Sequence, residues 1–156
     1  MPIRRLTPDS AIDEFVENLA ANRARAIIQA LIDIGEECIK QARLAGSYKD
    51  QTGNLRSSIG YVVVVDGDIV QMSGFETVPP KNPQKGDKYT GAEDGKAFAR
   101  QLASRFPTGI CLIVVAGMNY ASYVSAKGYN VLDGSELLAD KLVPQMLEQL
   151  GLKYKQ

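Results

Sequence analysis

The stretch that decides the fold is YKDQTGNLRSSIGYVVVV, residues 48–65, where a polar turn leads directly into an apolar strand. Gly53 and Asn54 are residue types that adopt positive φ at little cost. Asp50 and Thr52 can hydrogen-bond to the local backbone. The stretch therefore predicts a sharp chain reversal, with positive φ at Gly53, between a preceding helix and a following strand.

The residues after this reversal predict one helical turn and then a strand. Leu55 and Ile59 are four residues apart and share one face if they belong to a single helical turn. Residues 61–65 are aromatic and β-branched, which favours a strand. Arg56 lies just past the reversal, where its guanidinium can form an ion pair with a loop carboxylate such as Asp50 or bind a partner chain. We favour the ion pair within the chain, which would be a structural role.

A long amphipathic helix is predicted before the turn, beginning near Ser10 and ending near Ala45. Its apolar residues recur at steps of three and four: Ile12, Phe15, Val16, Leu19, Ile27, Ile28, Leu31, Ile34, Cys38, Ile39 and Ala42. At about 1.5 Å per residue the helix is roughly 50 Å long, which exceeds the diameter of a small domain. We therefore expect either a bend near Ala21-Asn22 or an overhanging end that packs on a neighbouring subunit. Gly35 within the helix indicates close packing on a sheet.

The next elements are a hairpin and a long loop. Asp66-Gly67 lies between two β-type runs, residues 61–65 and 69–73, and predicts an antiparallel hairpin. Residues 74–95 contain three prolines, several glycines and the lysines Lys81, Lys85 and Lys88. Because this segment has little apolar material to bury, we predict a long, mobile, projecting loop.

The last part of the chain predicts two helices and one further strand. Residues 97–106 have the spacing of a short helix that ends before Pro107. The continuous apolar run at residues 110–116 predicts a strand at the centre of the sheet. A C-terminal helix follows, with Asp133 or Ser135 as its cap and with Pro144 expected to bend or break it.

These elements predict one α+β domain spanning residues 1–156. In it a long N-terminal helix and a C-terminal helix pack on one face of an antiparallel sheet of about four strands, and the long loop projects from one end. A chain of 156 residues that is 45% hydrophobic suffices for one core and is too short for two typical domains.

Composition argues against several classes of function. Lys plus Arg equals Asp plus Glu at 18 each, so no overall charge draws the chain to nucleic acid or to an anionic membrane. The chain has no histidine, the commonest general base and metal ligand. Cys38 and Cys111 lack zinc-site spacing and are predicted to be buried, reduced thiols rather than a disulfide. We predict no metal and no cofactor.

The N-terminus lacks the apolar segment of a signal peptide, and no run approaches the length of a membrane span. A soluble, unexported protein is expected.

Three local patterns resemble catalytic motifs only in part. Tyr123 and Lys127 have the spacing of a dehydrogenase Tyr-x-x-x-Lys pair, but the glycine-rich dinucleotide turn is missing from the sequence. Residues 91–97 have the wrong glycine spacing for a phosphate-binding loop. Ser57 and Ser58 have no histidine to act as their base. A Ser-Lys dyad stays formally open, but cap or turn roles are favoured for both serines.

Two motifs carry a resemblance to a known family. The pattern Asp-x-Thr-Gly-Asn-Leu-Arg-x-Ser-Ile at residues 50–59, followed by NYASYVSAKGYNVL at residues 119–132, resembles the tail-completion family of long-tailed bacteriophages and prophages, the neck or head-to-tail joining proteins. The order of long helix, Thr-Gly turn, antiparallel strands, tyrosine-rich turn and terminal helix is also similar to that family.

The resemblance implies a non-enzymatic structural component of a virion, assembled in the host bacterial cytoplasm. It would form a homo-oligomeric ring between the head connector and the tail-tube proteins. Candidate interface residues are the amphipathic tyrosines and the loop lysines: Tyr120, Tyr123, Tyr129, Lys81, Lys85 and Lys88. The tyrosines are equally compatible with a turn packed on the first helix. The alternative function is a small enzyme acting on a phosphorylated or nucleotide substrate through Lys, Asp and Tyr; a nucleic-acid-binding module would need a clustered basic face.

The composition of residues 74–95 predicts that this loop is poorly ordered in the isolated protein and becomes ordered on assembly. Limited digestion with trypsin should therefore cut first at Lys81, Lys85 or Lys88. Cleavage elsewhere in the chain while these three lysines stay intact would show that the loop is not the mobile element.

Overall fold

The computed structural model describes residues 8–45, 53–80, 83–117 and 132–151. In these ranges the chain forms four helices and three strands. The elements in chain order are α1 (Asp9–Ala45), α2 (Asn54–Ser57), β1 (Ile59–Val65), β2 (Asp68–Gly74), α3 (Gly91–Ala103), β3 (Ile110–Ala116) and α4 (Asp133–Gln149).

The three described strands form an antiparallel sheet in the order β2-β1-β3. The predicted hairpin between β1 and β2 is confirmed. Its two turn residues, Asp66 and Gly67, have φ of 49° and 87°, the positive values that a two-residue hairpin turn requires. The hairpin is also fastened to the start of β3, because the backbone N–H of Asp66 donates to the carbonyl of Gly109 and the N–H of Gly109 donates to Asp66 Oδ1, each at 2.9 Å.

Helices cover both faces of this sheet. Successive strand residues face opposite sides, so Ile59, Tyr61 and Val63 pack with α1 and α4, whereas Val62 and Val64 pack with α3. All five of these side chains are fully buried. The molecule is therefore a three-layer arrangement with β1 at its centre.

The predicted α+β class is confirmed, including the packing of the N-terminal and C-terminal helices on one face. The sheet has three strands in the described ranges, against about four predicted. The prediction that residues 110–116 form the central strand is wrong, because β3 lies at an edge of the described sheet. Its continuous apolar run reflects helices on both faces rather than neighbouring strands on both sides. The packing of α3 on the second face was not predicted.

Helix α1 extends beyond the described core at its N-terminal end. It runs without interruption from Asp9 to Ala45, and its contacts with the core begin at Ile27. Before that point three large apolar side chains are more than half exposed: Phe15, Val16 and Leu19. Residues 9–26 therefore overhang the described domain, over about 27 Å at 1.5 Å per residue.

A close contact between Gly35 and Tyr61 sets the distance between α1 and β1. A Cβ atom added to Gly35 would lie 2.6 Å from Cδ2 of the Tyr61 ring, so the predicted close packing of this glycine on the sheet is confirmed. The hydroxyl of Tyr61 donates to Glu36 Oε1 at 2.8 Å. Burial, together with this hydrogen bond and the charge of Glu36, raises the pKa of Tyr61 to about 12.

Helix α4 begins without the side-chain cap that was predicted from Asp133 or Ser135. The hydroxyl of Ser135 does not cap the helix but donates to the carbonyl of Cys38 at 2.6 Å, and the Cys38 thiol donates to the carbonyl of Ser135 at 3.6 Å. Of the predicted bend or break at Pro144, the break does not occur, because the helix continues through Pro144 to Gln149. Both cysteines are free thiols, Cys38 buried and Cys111 half-buried, and burial raises the pKa of each.

Replacing Gly35 by alanine tests the contact between α1 and β1. The added methyl group overpacks the interface, which typically costs about 1–3 kcal/mol, and alanine returns at most about 1 kcal/mol of helix propensity. We expect a net loss of about 1 kcal/mol or more in the free energy of unfolding, measured by urea denaturation. In a double-mutant cycle with Tyr61→Ala this loss should shrink or vanish. A Gly35→Ala protein more stable than the wild type would contradict the contact.

Candidate functional site

The turn between α1 and β1, described here over residues 53–58, is a largely buried junction rather than a surface loop. Gly53 has φ of 77°, which confirms the positive φ predicted for it. A Cβ atom at this position would overlap the carbonyl oxygen of Val78. Glycine is therefore needed here both for its backbone conformation and for the close approach of residues 78–79.

The two serines of the turn use their hydroxyl groups on the backbone. Ser57 Oγ donates to the carbonyl of Gly53 at 2.6 Å and accepts from the N–H of Val78 at 2.8 Å. Ser58 Oγ donates to the carbonyl of Leu55 at 2.7 Å. The turn roles predicted for both serines are confirmed, and Ser57 also binds the segment that leaves β2.

Asn54 binds the other end of the same connection. Its side-chain Nδ2 donates to the carbonyl of Lys88 at 2.5 Å, and its Oδ1 accepts from the N–H of Gly91 at 3.1 Å. The second bond satisfies one of the N–H groups that the first turn of α3 leaves without a helical partner. The turn thus holds both ends of the chain between β2 and α3.

These contacts correct the predicted loop. The structure continues β2 to Gly74 and begins α3 at Gly91, so the connection is residues 75–90 rather than 74–95. The loop lysines Lys85 and Lys88 are exposed, as expected for an interface candidate. Lys81 lies outside the described residues, as do the turn residues Asp50 and Thr52 and the tyrosines Tyr120, Tyr123 and Tyr129.

Phe75 anchors the start of the connection and was missed by sequence reasoning. It is only 3% exposed and has φ of 54°, a strained value for a bulky residue. Its ring occupies the space that a Cβ atom would take at Gly60 in β1 and at Gly95 in α3. The signal in the sequence was a lone aromatic residue directly after a glycine that ends a strand, which is too weak to predict this role.

Arg56 connects the turn to the end of α1. Its guanidinium donates to the carbonyl of Arg43. The guanidinium of Arg43 in turn lies 3.5 Å from Glu76 Oε2 and 3.4 Å from the carbonyl of Ile59. A structural role was favoured for Arg56, and this contact agrees with that preference, while the suggested partner Asp50 falls outside the described ranges.

A groove of about 440 Å³ lies between the C-terminal half of α1 and the edge of β2. Its lining residues are Glu36, Glu37, Ile39, Lys40, Arg43, Leu44, Ser73 and Glu76. Three carboxylates face two cations, so the groove does not favour a phosphorylated ligand. No group of three or more Cys, Asp or Glu side chains in the described part of the chain is arranged to hold a metal ion.

Helix α1 carries a stripe of large apolar side chains that are exposed to solvent. Phe15, Val16 and Leu19 are 67%, 56% and 51% exposed, and Leu19 lies four residues after Phe15 and three after Val16. They lie on the overhang, residues 9–26, where the described core offers them no cover. Large contiguous patches of exposed apolar side chains mark sites that bind proteins, membranes or ligands, so this stripe is a candidate binding surface.

No family model, no curated protein and no solved structure matches this chain.

Substituting Gly53 by valine should destabilise the fold by on the order of 1–3 kcal/mol, because a β-branched residue is strained at positive φ. Gly86 provides a matched control, since it has φ of 91° but no atom within 4 Å of an added Cβ. The overlap with Val78 should therefore make Gly53→Val more destabilising than Gly86→Val, as measured by melting temperature. Equal effects of the two substitutions would remove the packing role assigned to the turn.

Proposed function

We propose that this chain is a structural protein of a long-tailed bacteriophage or prophage that works by contact and not by catalysis. In this proposal it assembles as a ring at the head-to-tail junction, where it completes the tail, forms the neck or closes the head. Its partners are copies of itself and the neighbouring head-connector and tail-tube proteins. Its location is the virion, after assembly in the host bacterial cytoplasm.

The observation that carries the proposal is the exposed apolar stripe on the overhang. Fully burying a side chain such as Phe, Val or Leu stabilises an assembly by about 1.5–3 kcal/mol. Three such side chains on an extended helix therefore provide an association surface that the described domain does not use itself. The resemblance of residues 50–59 and 119–132 to the tail-completion family supports the kind of assembly proposed.

The described turn supports a structural role for the first of those motifs. Gly53, Asn54 and Ser57 bind backbone on both sides of the connection from β2 to α3. Their side chains and backbone thus position the loop that carries Lys85 and Lys88. The loop lysines and the three tyrosines Tyr120, Tyr123 and Tyr129 remain interface predictions.

The enzymatic alternative gains no support from the groove beside α1. A phosphorylated or nucleotide substrate needs an excess of cationic or N–H donors, whereas the groove lining has three carboxylates against Lys40 and Arg43.

No helix in the described ranges is both long and apolar enough to cross a bilayer.

The first test is the gene neighbourhood. Genes for portal, capsid and tail-tube proteins beside the gene for this chain support the proposal, and a metabolic operon would argue for the enzyme.

The second test is assembly in the phage or prophage that encodes the chain. The double substitution Phe15→Ser/Leu19→Ser removes most of the exposed stripe and should leave the fold intact, because these residues do not contact the described core. We expect heads without tails and a loss of infectious particles by at least about tenfold. Leu137→Ser, which also replaces an exposed apolar helix residue, is the control and should assemble normally. Normal yields of intact, tailed particles from the double variant would refute the role given to the overhang.

A further inference from the structure

Strand β3 is an edge strand without the features that usually protect an edge from further pairing. Its seven residues include no charged residue and no proline, and its pairing with β1 is regular along its whole length. Natural edge strands are usually interrupted by charges, prolines or bulges, because their unpaired N–H and C=O groups otherwise bind another strand. In the described part of the chain β3 pairs with β1 alone. This edge is therefore suited to accept a strand.

The exposure of β3 indicates that the described residues leave its edge uncovered. Helices pack on both of its faces, as they do on β1. Yet Val115 is the one buried residue of β3 and the other six are half-buried, whereas residues 61–64 of β1 are fully buried. The two strands differ in their neighbours, because β1 has a strand on each side and β3 has a strand on one side.

Two hydrogen bonds at the ends of the pairing between β1 and β3 show which backbone groups of β3 face outward. The N–H of Asp66 donates to the carbonyl of Gly109 at 2.9 Å, and the N–H of Gly117 donates to the carbonyl of Ser58 at 3.2 Å. Backbone groups alternate between the two sides of an antiparallel strand, so the odd-numbered residues of β3 face β1. The even-numbered residues direct their N–H and C=O groups to the free edge: Ile110, Leu112, Val114 and Ala116.

The opposite edge of the described sheet, formed by β2, is interrupted. The pairing of β2 with β1 shifts its register between Val63 and Val64, and the charged residue Asp68 at the start of β2 is exposed. Gly74 at the end of β2 has φ of 83°, which lies outside the range of an extended strand. A pair of β3 strands is therefore the longest regular match that two copies of the described sheet can make.

We infer that two copies of this chain pair through β3, antiparallel, in the register that places Ile113 opposite Ile113 on a two-fold axis. Leu112 then lies opposite Val114, and Ile110 lies opposite Ala116. All four outward residues of each copy are matched, and about eight backbone hydrogen bonds form, two at each matched position. The result is one continuous sheet with three strands from each copy.

This pair goes beyond the proposed function and does not depend on it. A two-fold contact closes as a dimer, whereas a ring needs a head-to-tail contact. The pair would cover the apolar edge of β3 in copies that are not assembled. Each copy contributes one strand and one neighbouring cleft, which is a small interface. We therefore expect a dimer in equilibrium with the monomer, with a Kd of roughly 10–100 µM.

The cleft beside β3 fits a side chain that this pairing brings to it. It has a volume of about 260 Å³ and is lined by Val114, Leu132, Ser135, Glu136 and Ala139. The side chain of Val114 lies on the face of the sheet that carries α1 and α4. A two-fold axis perpendicular to the sheet keeps this face common to both copies. Leu112 of the second copy then lies beside Val114, with about 5 Å between their Cβ atoms, and enters the cleft.

The first experiment measures amide hydrogen exchange by NMR in the full, unmodified chain at about 20 µM and about 1 mM. The N–H groups of Leu112 and Val114 should exchange about fourfold faster at the low concentration, because the fraction of monomer rises by about that factor for a Kd of roughly 10–100 µM. The N–H groups of Cys111 and Ile113 face β1 and should exchange slowly at both concentrations.

The second experiment tests the register by disulfide cross-linking. Ile113→Cys in a Cys111→Ala background should give a disulfide-linked dimer on oxidation. The two copies of residue 113 form a non-hydrogen-bonded pair with about 4.5 Å between their Cα atoms, which a disulfide can span. Ile69→Cys in the same background is the matched control, because Ile69 is also half-buried on the α3 face but belongs to β2. This control should not cross-link. Cys38 is buried and stays in place.

Three results would overturn the inference. Slow exchange of Leu112 and Val114 at both concentrations would show that another segment of the same chain covers the edge. Fast exchange at both would show that the edge stays unpaired. Concentration-dependent protection without a cross-link at residue 113, or with equal cross-linking at residue 69, would show that the copies pair in another register or through another surface. None of these results bears on the proposed ring, which the particle-assembly experiment tests separately.

Discussion

The burial of β1 between two helical layers is the constraint on which the rest of the structure depends. Tyr61, Val62, Val63 and Val64 are fully buried, with alternate residues packed against different helices. A strand covered on both faces cannot use polar residues on either, which explains the continuous apolar run. β1 also pairs with both other described strands. Helices α1 and α3 pack directly against it, and α4 packs mainly on α1. The contact of Gly35 with the Tyr61 ring brings the longest helix close to this strand.

The turn before β1 holds the connection between β2 and α3 against the core. It precedes the central strand directly, so the groups it binds are held at a fixed place relative to the core. Asn54 and Ser57 satisfy backbone groups at the two ends of the connection 75–90. Phe75 fills the space above Gly60 and Gly95, and its strained φ is held by packing on both sides. The connection is therefore anchored at its ends, while Lys85 and Lys88 remain available at its surface.

The two parts of α1 differ in their relation to the core. From Ile27 onward the helix contributes to the core, and before it residues 9–26 overhang the described domain. Substitutions in the overhang can thus change assembly without loss of the fold, which makes the proposed contacts open to direct test. The same separation suits the proposed ring, because surfaces that join copies would not compete with the interactions that fold each copy.

The sequence by itself determined those features that depend only on residues close together in the chain. Positive φ at Gly53, the Asp66-Gly67 hairpin, the extent of α1 and the α+β class all follow from backbone preference or from periodicity within one segment. It also indicated that Gly35 packs closely on a sheet. Only the tertiary structure decided which strand is central, because an apolar run such as residues 110–116 has the same appearance whether strands or helices cover it. The roles of Phe75, Asn54 and Ser135 likewise depend on groups distant in sequence: the hydroxyl of Ser135 binds the Cys38 carbonyl rather than its own helix. Periodicity left a bend or an overhang open for α1, and only the tertiary structure showed that the contacts of this helix with the described core begin at Ile27.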